Sequence, residues 1–366
     1  MVPLVKAIAR ARSRIEIIIF RFNRSEIERA LANAVTRGVH VHALIAYTNR
    51  GGEKNLRELE MRLLAAGVTV SRTDDDLVRY HGKMMLVDRR LLFVLAFNFT
   101  LLDIERSRAF GIVTTNRQHV QEAARLFEAD IKRVAYTPGS ATFLVSPVNA
   151  RKELAAFLKG ATRELIIYDP EISDPAMIRL LEARARAGVA IQIIGTLSTK
   201  SEMLQVRKLT RMRLHTRTII RDGKQAFVGS QSLRTLELDA RREVGIIFRD
   251  RTAVARLTAT FREDWDFHED AGSQSPQRDL DTKMATVHAL KVAKKVAKAV
   301  AKDLGPVSPV VETTLNELIA DSIPVGLNSP EIEATVKNAV KDAVREAVRG
   351  LVEEAVEVGQ AGGSKE

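Results

Sequence analysis

The first 45 residues alternate between two hydrophobic periodicities. Residues 4–12 and 25–36 carry apolar side chains at helical spacing, whereas residues 15–20 and 39–45 are short β-rich runs, the second alternating between apolar and polar positions. Gly38 follows the second helical stretch and ends it. The pattern predicts the order helix, strand, helix, strand for this part of the chain.

The same order returns in the middle of the chain. Residues 154–161 and 175–187 have helical spacing, residues 164–168 and 189–194 are extended apolar runs, and Gly188 separates the last helix from the last run. Alternating helices and apolar strands are typical of a sheet with helices on both faces. We therefore predict an α/β fold with two βα repeats, each a mixed sheet covered by helices, packed together as one bilobed body.

Two turn-rich segments, at 136–140 and 271–276, divide the chain. The predicted parts are a first repeat, a second repeat and a C-terminal helical appendage, at residues 1–137, 138–270 and 271–366. The single tryptophan, Trp265, lies near the end of a helical stretch and is predicted to be a core residue.

The C-terminal appendage contains two helical patterns. Residues 282–304 place lysines along one narrow stripe, and residues 329–359 place small apolar side chains at spacings of three and four. Such spacings suit helix pairing, either within the appendage or as self-association of two chains. The alternative for the lysine stripe is contact with an anionic membrane or with DNA.

The composition restricts the class of protein. The chain has 366 residues, of which 45% are hydrophobic and 28% charged, and this is typical of a folded core and excludes a disordered chain. The absence of cysteine excludes disulfide scaffolds, zinc ribbons, iron–sulfur ligation and a thiol nucleophile. The apolar runs are too short to cross a bilayer, and the N-terminus lacks the order of a secretion signal. We therefore expect a cytoplasmic protein, in peripheral contact with the membrane if its substrate is a lipid.

The positive charge lies in the two repeats. The net charge is +11, with +8 in residues 1–137, +5 in residues 138–270 and −2 in residues 271–366. A basic folded body suits an anionic partner, which is nucleic acid, a phospholipid head group or a phosphorylated small molecule. Solvated surface charge is the alternative explanation.

One motif with chemical potential occurs in both repeats. It reads His-x-basic-x4-Asp, and the two copies lie 134 residues apart at equivalent points. Alternation along a strand places the histidine and the basic residue on the same side, so that both face one site. The motif residues are His81, Lys83 and Asp88 in the first copy and His215, Arg217 and Asp222 in the second.

Over residues 1–270 the chain resembles the phospholipase D superfamily, in particular its bacterial and cardiolipin synthase-like members. The signature of that family is two copies of His-x-Lys-x4-Asp, each followed by Gly-Ser-x-Asn and a later Glu. Ser230 matches the serine of the second copy, Ser232 stands where asparagine is usual, and Glu243 falls at the carboxylate position. Asn98 matches the asparagine of the first copy.

The residue types fit two-step cleavage of a phosphodiester. One histidine serves as nucleophile and the other as the acid that protonates the leaving oxygen, while Lys83 and Arg217 hold the non-bridging oxygens. We expect Glu243 to accept the second ring N–H of His215. The usual assignment in the family favours His81 as nucleophile, whereas a carboxylate on His215 favours His215, and the sequence leaves both assignments open.

The other motif residues have supporting roles in this scheme. The hydroxyl of Ser230 and the amide of Asn98 can donate to the same phosphate oxygens. The resemblance implies that Asp88 and Asp222 lie away from the phosphate. It also implies a covalent phosphohistidine, hydrolysis or transphosphatidylation as the outcome, and no metal or other cofactor.

The first repeat departs from the family pattern. Leu95 and Ala96 replace Gly-Ser, and Ala109 stands where the family carries Glu. The histidine of that repeat therefore lacks its expected carboxylate, unless Asp103 or Glu105 substitutes. A degenerate, non-catalytic phosphate-binding or scaffold protein is accordingly one alternative function.

The motif does not choose the substrate, because phospholipids and nucleic acids contain the same diester. Two motif copies in one chain are the usual layout of lipid-acting members, so the prediction is a phospholipase D acting on phospholipid. The alternative is a metal-independent nuclease, for which the basic run at 207–213 would track the phosphate backbone. An aromatic content of 5% offers few platforms for stacking single-stranded bases.

Overall fold

The computed structural model describes residues 2–20, 22–47 and 56–267. The predicted helical appendage at 271–366, with its lysine stripe and its predicted self-association, lies outside the described residues. Within the described residues, no helix is both long enough and apolar enough to span a bilayer.

The first repeat follows the predicted order. Its helices are α1 (Val2–Arg10), α2 (Ser25–Thr36), α3 (Leu56–Ala65), α4 (Leu101–Glu105) and α5 (Arg117–Lys132). Its strands are β1 (Arg14–Ile18), β2 (His40–Ile45), β3 (Thr69–Arg72), β4 (Arg79–Tyr80), β5 (Met84–Val87), β6 (Leu91–Leu95), β7 (Ser107–Arg108) and β8 (Gly111–Thr114). The sheet order is β3-β2-β1-β5-β6-β8, with β1 parallel to β2 and antiparallel to β5.

The second repeat has the same plan. Its helices are α6 (Ala150–Lys159), α7 (Pro175–Arg186), α8 (Thr235–Asp239) and α9 (Arg251–Asp266). Its strands are β9 (Phe143–Ser146), β10 (Glu164–Ile172), β11 (Ala190–Leu197), β12 (Gln205–Arg207), β13 (Arg213–Leu214), β14 (Arg217–Arg221), β15 (Gln225–Gly229) and β16 (Arg241–Phe248). The sheet order is β12-β11-β10-β14-β15-β16-β4, and β9 also pairs with β16. The prediction of two mixed sheets covered by helices is confirmed.

Local sequence explains where the helices begin and end. In α2 the buried side chains Ile27, Leu31 and Ala34 recur at spacings of four and three, which forms one apolar stripe. Gly38 after this helix has φ +85°, a left-handed conformation that glycine adopts without steric cost. In α7 the Asp174 carboxylate accepts the N–H groups of Ala176 and Met177 and caps the first turn.

Each repeat lends a two-residue strand to the other. β4 of the first repeat pairs in parallel with β16, and β13 of the second repeat pairs in parallel with β7. Adding 134 to the residue numbers of the pair Arg79–Arg241 on its first member, and subtracting 134 on its second, gives the pair Arg213–Ser107. The two exchanges are therefore equivalent by the same offset that relates the motifs.

Two ion pairs follow the same exchange. Arg108 donates from Nε and NH2 to the two oxygens of Asp264 on α9, at 2.6 and 2.8 Å. Arg242 reaches Asp130 on α5 at 3.1 Å. Both carboxylates are buried, and burial raises the pKa of Asp130 to about 6. Removing one partner of such a buried pair costs about 3–5 kcal/mol, so these contacts hold the repeats together.

The repeats share their hydrophobic core. The face of the first sheet that packs on α5 receives Val244 from β16 and Phe143 from β9 of the second repeat. The corresponding face of the second sheet packs on α9 and receives Ile112 from β8. Trp265 lies in this second core, stacked on Phe261 with ring centroids 5.6 Å apart, as predicted from the sequence. The two repeats accordingly form one compact unit, Met1–Phe267.

Candidate active site

The two motif histidines occupy equivalent positions in the exchanged strands. His81 follows β4 and His215 follows β13. The backbone N–H of His81 donates to the carbonyl of Arg242 at 2.8 Å, and that of His215 donates to the carbonyl of Arg108 at 3.1 Å. The backbone of each histidine is therefore anchored to a strand of the other repeat.

Glu243 binds the histidine of the first repeat. Both of its carboxylate oxygens lie 3.0 Å from Nδ1 of His81, and its side chain is fully buried. The expectation that Glu243 accepts the ring N–H of His215 is therefore wrong. The reason is the exchange of β4, which places His81 beside β16, the strand that carries Glu243.

The carboxylate next to His215 is Asp103 of the first repeat. Its Oδ2 lies 3.7 Å from Nδ1 of His215, too far for a hydrogen bond, and this Nδ1 is buried with no hydrogen-bond partner. Arg213 donates to Oδ1 of Asp103 at 2.7 Å. Glu105, the other carboxylate considered from the sequence, pairs with Arg24 instead. Asp103 thus serves the histidine of the opposite repeat, not that of its own.

The basic residues of the two motifs have matching contacts. Nζ of Lys83 donates to the carbonyl of His81 at 2.6 Å, and NH1 of Arg217 donates to the carbonyl of His215 at 2.7 Å. Lys83 is fully buried, and each cation acts electrostatically on both histidines. Nε of Arg217 also donates to the hydroxyl of Ser232 at 3.1 Å. Two positive charges therefore lie between the two imidazoles.

Burial sets the protonation of the site. It lowers the pKa of both histidines well below the usual value, and the charges of Lys83 and Arg217 lower both further. Burial also lowers the pKa of Lys83 to about 7 and raises that of Glu243, the latter against the charge of Lys83. With Glu243 ionised, the ring proton of neutral His81 lies on Nδ1, because a carboxylate only accepts hydrogen bonds. Nε2 of His81 then keeps its lone pair.

The three polar residues that follow the motifs differ in their contacts. Nδ2 of Asn98 donates to Asp103 at 2.8 Å, which leaves its second N–H for a ligand, and the Oδ1 atom of Asn98 is buried without a hydrogen-bond partner. The Ser230 hydroxyl contacts the backbone of Val244, accepting from the N–H at 3.1 Å and donating to the carbonyl at 3.3 Å. The expected donation from Ser230 to phosphate is therefore absent from its contacts in the described site, since its one proton is engaged.

Asp88 and Asp222 lie at the far ends of the motif strands. Both have a left-handed backbone, with φ of 51° and 55°. Each carboxylate accepts three successive backbone N–H groups at the turn before the first strand of its repeat, those of residues 12–14 for Asp88 and 162–164 for Asp222. These hydrogen bonds lower the pKa of both carboxyls, although burial opposes them. Both residues thus fix the repeat and do not line the site.

The sequence profile described as "Cardiolipin synthase, PLD-like domain" matches residues 4–131 and 154–265, which is more than half of the chain. The chain belongs to the phospholipase D superfamily. It is 29% identical over 132 residues to the mitochondrial cardiolipin hydrolase of Mus musculus, covering 36% of the chain and 56% of that protein. The human cardiolipin hydrolase is 28% identical over 143 residues, with 38% and 53% covered. The chain thus spans little more than half the length of these curated relatives.

Solved structures share the fold of these phospholipase D-like repeats. Polyphosphate kinase from Porphyromonas gingivalis superposes with a TM-score of 0.59 and 19% identity, over 75% of this chain and 50% of that chain. Phosphatidylserine synthase from Haemophilus influenzae superposes with a TM-score of 0.56 and 10% identity, over 80% and 91%. At these identities the likeness shows the fold alone.

Sequence reasoning missed two carboxylates around the phospholipase D-like motifs. Glu237 accepts the backbone N–H of Ser232 at 2.6 Å and lies 3.9 Å from Arg217. It follows its histidine by 22 residues, as Asp103 follows His81, and this repeated spacing was a usable signal. Asp169 is buried, and burial raises its pKa to about 7. No cluster of three or more potential metal-ligating side chains occurs within residues 2–20, 22–47 and 56–267.

The basic run before the second phospholipase D-like motif is mostly neutralised within the fold. Arg207 stacks over the ring of Trp265 at 4.3 Å and donates to its carbonyl. Arg211 pairs with carboxylates of α9, and Arg213 pairs with Asp103. These arginines hold α9 and the site in place, so the run is not a free track for a nucleic-acid backbone.

Proposed function

We propose that this protein is a phospholipase D-type phosphodiesterase that hydrolyses phospholipid, or transfers its phosphatidyl group to an alcohol, through a covalent phosphohistidine. The observation that carries the proposal is the crossed arrangement of His81 and His215, each beside a buried carboxylate of the opposite repeat, with Lys83 and Arg217 between them. Such a site combines a nucleophile, an acid and two cations for the developing phosphate charge.

In the first step, Nε2 of His81 attacks phosphorus. The P–N bond forms as the bond from phosphorus to the leaving oxygen breaks, and His215 gives its proton to that oxygen. The anionic diester raises the pKa of His215 on binding, because a nearby negative charge favours imidazolium. Glu243 stabilises the positive charge that develops on the His81 ring.

In the second step, a water or an alcohol attacks the phosphohistidine. His215, now neutral, removes the proton of the attacking hydroxyl, and the P–N bond breaks to restore the His81 lone pair. Lys83 and Arg217 hold the non-bridging oxygens through both steps. Water as acceptor yields a phosphatidic acid, and an alcohol yields an exchanged phospholipid.

Exposed leucines beside the site support a lipid substrate. The short helices α4 and α8 each bury one carboxylate, Asp103 and Glu237, yet Leu102 is 43% exposed on α4 and Leu236 is 36% exposed on α8. Leu101 is 46% exposed. Apolar side chains near a phosphodiester site suit peripheral contact with a membrane that contains the substrate. The similarity to cardiolipin hydrolases and the neutralised basic run support the same choice.

Turnover of bis(p-nitrophenyl) phosphate in EDTA tests the chemistry. We expect turnover by the wild type, none by His81→Ala and His215→Ala, and unchanged turnover by His40→Ala, whose side chain is exposed on β2. Anionic diacyl phospholipid vesicles and single- and double-stranded DNA then test the substrate. Cleavage of DNA but not of vesicles would replace the lipase with the nuclease. Inactivity on every diester would favour a phosphate-binding role.

A further inference from the structure

The first repeat contains a second cavity, away from the histidines. It lies between α1 and the edge of the first sheet, next to Asp88, and its volume is about 410 Å³. Small-molecule sites usually measure about 300–1,000 Å³. The floor is apolar and is formed by Ala7 on α1 with Val87, Leu91, Phe93 and Val113 on the sheet. This cleft is called the α1 cleft below.

The second repeat shows what normally fills this space. The turn that binds Asp88 begins at Arg12, and the turn that binds Asp222 begins at Thr162. Counting back five residues from each turn makes Ala7 on α1 equivalent to Phe157 on α6. Phe157 is buried and is part of the core of its repeat. The first repeat therefore has a methyl group where the second has an aromatic ring.

Two further substitutions enlarge the α1 cleft. Val87 is equivalent to Arg221, whose guanidinium lies over the ring of Phe157 at 4.6 Å. Val113 is equivalent to Ile247, and their exposed fractions are 48% and 9%. An apolar residue that is buried in one repeat is thus open to solvent in the other, because the ring that would cover it is absent at Ala7.

The rim of the α1 cleft is cationic. Lys6, Arg10 and Arg90 line it, and in the described residues none of the three forms an ion pair. Lys6 and Arg10 are equivalent to the uncharged Ala156 and Gly160 of the second repeat. The one carboxylate at the cleft, that of Asp88, is already engaged by backbone N–H groups. The rim therefore has a net positive charge beside an apolar floor.

We propose that the α1 cleft binds a single-chain amphiphile with an anionic head group. The alkyl chain occupies the space equivalent to Phe157 and covers Val113, and the head group pairs with Lys6, Arg10 and Arg90. Apolar burial and charge pairing both contribute, because each chemical half of the ligand meets its complement. The site is separate from the diesterase site, since Asp88 lies at the end of β5 that is remote from His81.

Titration calorimetry with dodecyl phosphate below its micellar concentration tests the proposal. We expect saturable binding by the full chain, weaker binding as salt is raised, and none with dodecyl maltoside or inorganic phosphate. Ala7→Phe, which installs the residue of the second repeat, should remove binding. The pair Lys6→Glu and Arg90→Glu should weaken it by about tenfold or more, as expected for reversing two partly screened charges.

Lys224→Glu is the matched control, because Lys224 is the equivalent of Arg90 in the second repeat. It should bind dodecyl phosphate like the wild type. The charge variants alter exposed side chains and should keep the wild-type melting temperature, which guards against misfolding of Ala7→Phe as an explanation. Wild-type affinity in Ala7→Phe, equal binding of dodecyl maltoside, or equal weakening by Lys224→Glu would each overturn the proposal.

Discussion

Replacement of Glu243 by glutamine should stop the formation of the phosphohistidine. Both oxygens of Glu243 lie 3.0 Å from Nδ1 of His81 in a fully buried setting. At an effective dielectric constant of about 20, a unit charge on the ring and one on the carboxylate attract by about 5.5 kcal/mol at that distance. If about three-quarters of this attraction acts in the transition state, the rate falls about 10³-fold when it is lost.

Quenched-flow kinetics with bis(p-nitrophenyl) phosphate measures this step directly. p-Nitrophenolate leaves without protonation, so the burst reports attack by His81 and not the acid function of His215. Glu243→Gln should lack the burst and the phosphoenzyme. His215→Asn should show the burst and accumulate the phosphoenzyme, because its second step lacks a base.

The opposite pairing makes a different prediction. If Glu243 acted on His215, Glu243→Gln would resemble His215→Asn and accumulate phosphoenzyme. Glu237→Gln is the matched control, since Glu237 is also buried but bonds the backbone of Ser232. A burst of wild-type rate in Glu243→Gln would refute the assignment of His81 as the nucleophile that this carboxylate orients.

Three further results are expected. Asp103→Asn should slow turnover of substrates with poor leaving groups by about 10-fold to 100-fold, and Ala109→Glu in that background should restore part of the rate, since position 109 is equivalent to Glu243 and faces the opposite histidine. Inhibition by vanadate should weaken above pH 7 as Lys83 loses its proton, and Lys83→Arg should extend inhibition to higher pH, measured as Ki against pH. Asp222→Asn should lower the free energy of unfolding by about 2–3 kcal/mol at neutral pH in urea titrations. Because the folded pKa of Asp222 is depressed, that difference is present above the unfolded pKa and should shrink as the pH falls through the folded pKa.

The sequence predicts the repeats because their signals are local. Helical spacing in α2 and the apolar runs of β1 and β10 repeat over enough residues to be recognised, and the motif copies share one offset. Element ends shifted by a few residues, as with β10, predicted to end at residue 168 and observed to continue to Ile172. Boundaries depend on strand pairing and caps, which a periodicity does not contain.

The partner of Glu243 could not be predicted in the same way. It depends on β4, a strand of two residues that leaves no hydrophobic pattern and pairs across 162 residues of sequence. The basic run at 207–213 failed for a related reason, because counting charges does not reveal their partners on α9. Contacts between distant segments are therefore what the structure adds to the reading of this chain.

The exchange of β4 and β13 also limits how the two halves of this gene product can diverge. His215 depends on a carboxylate from the first half, and His81 on one from the second, so neither half inherits a working catalytic group by itself. A change in one copy is felt at the histidine of its sister, as Ala109 illustrates: the position that would serve His215 carries no acid, and Asp103, in the same half, stands nearest in its place. The duplicated halves are bound to a common fate, and compensation for a loss arises in the donor half.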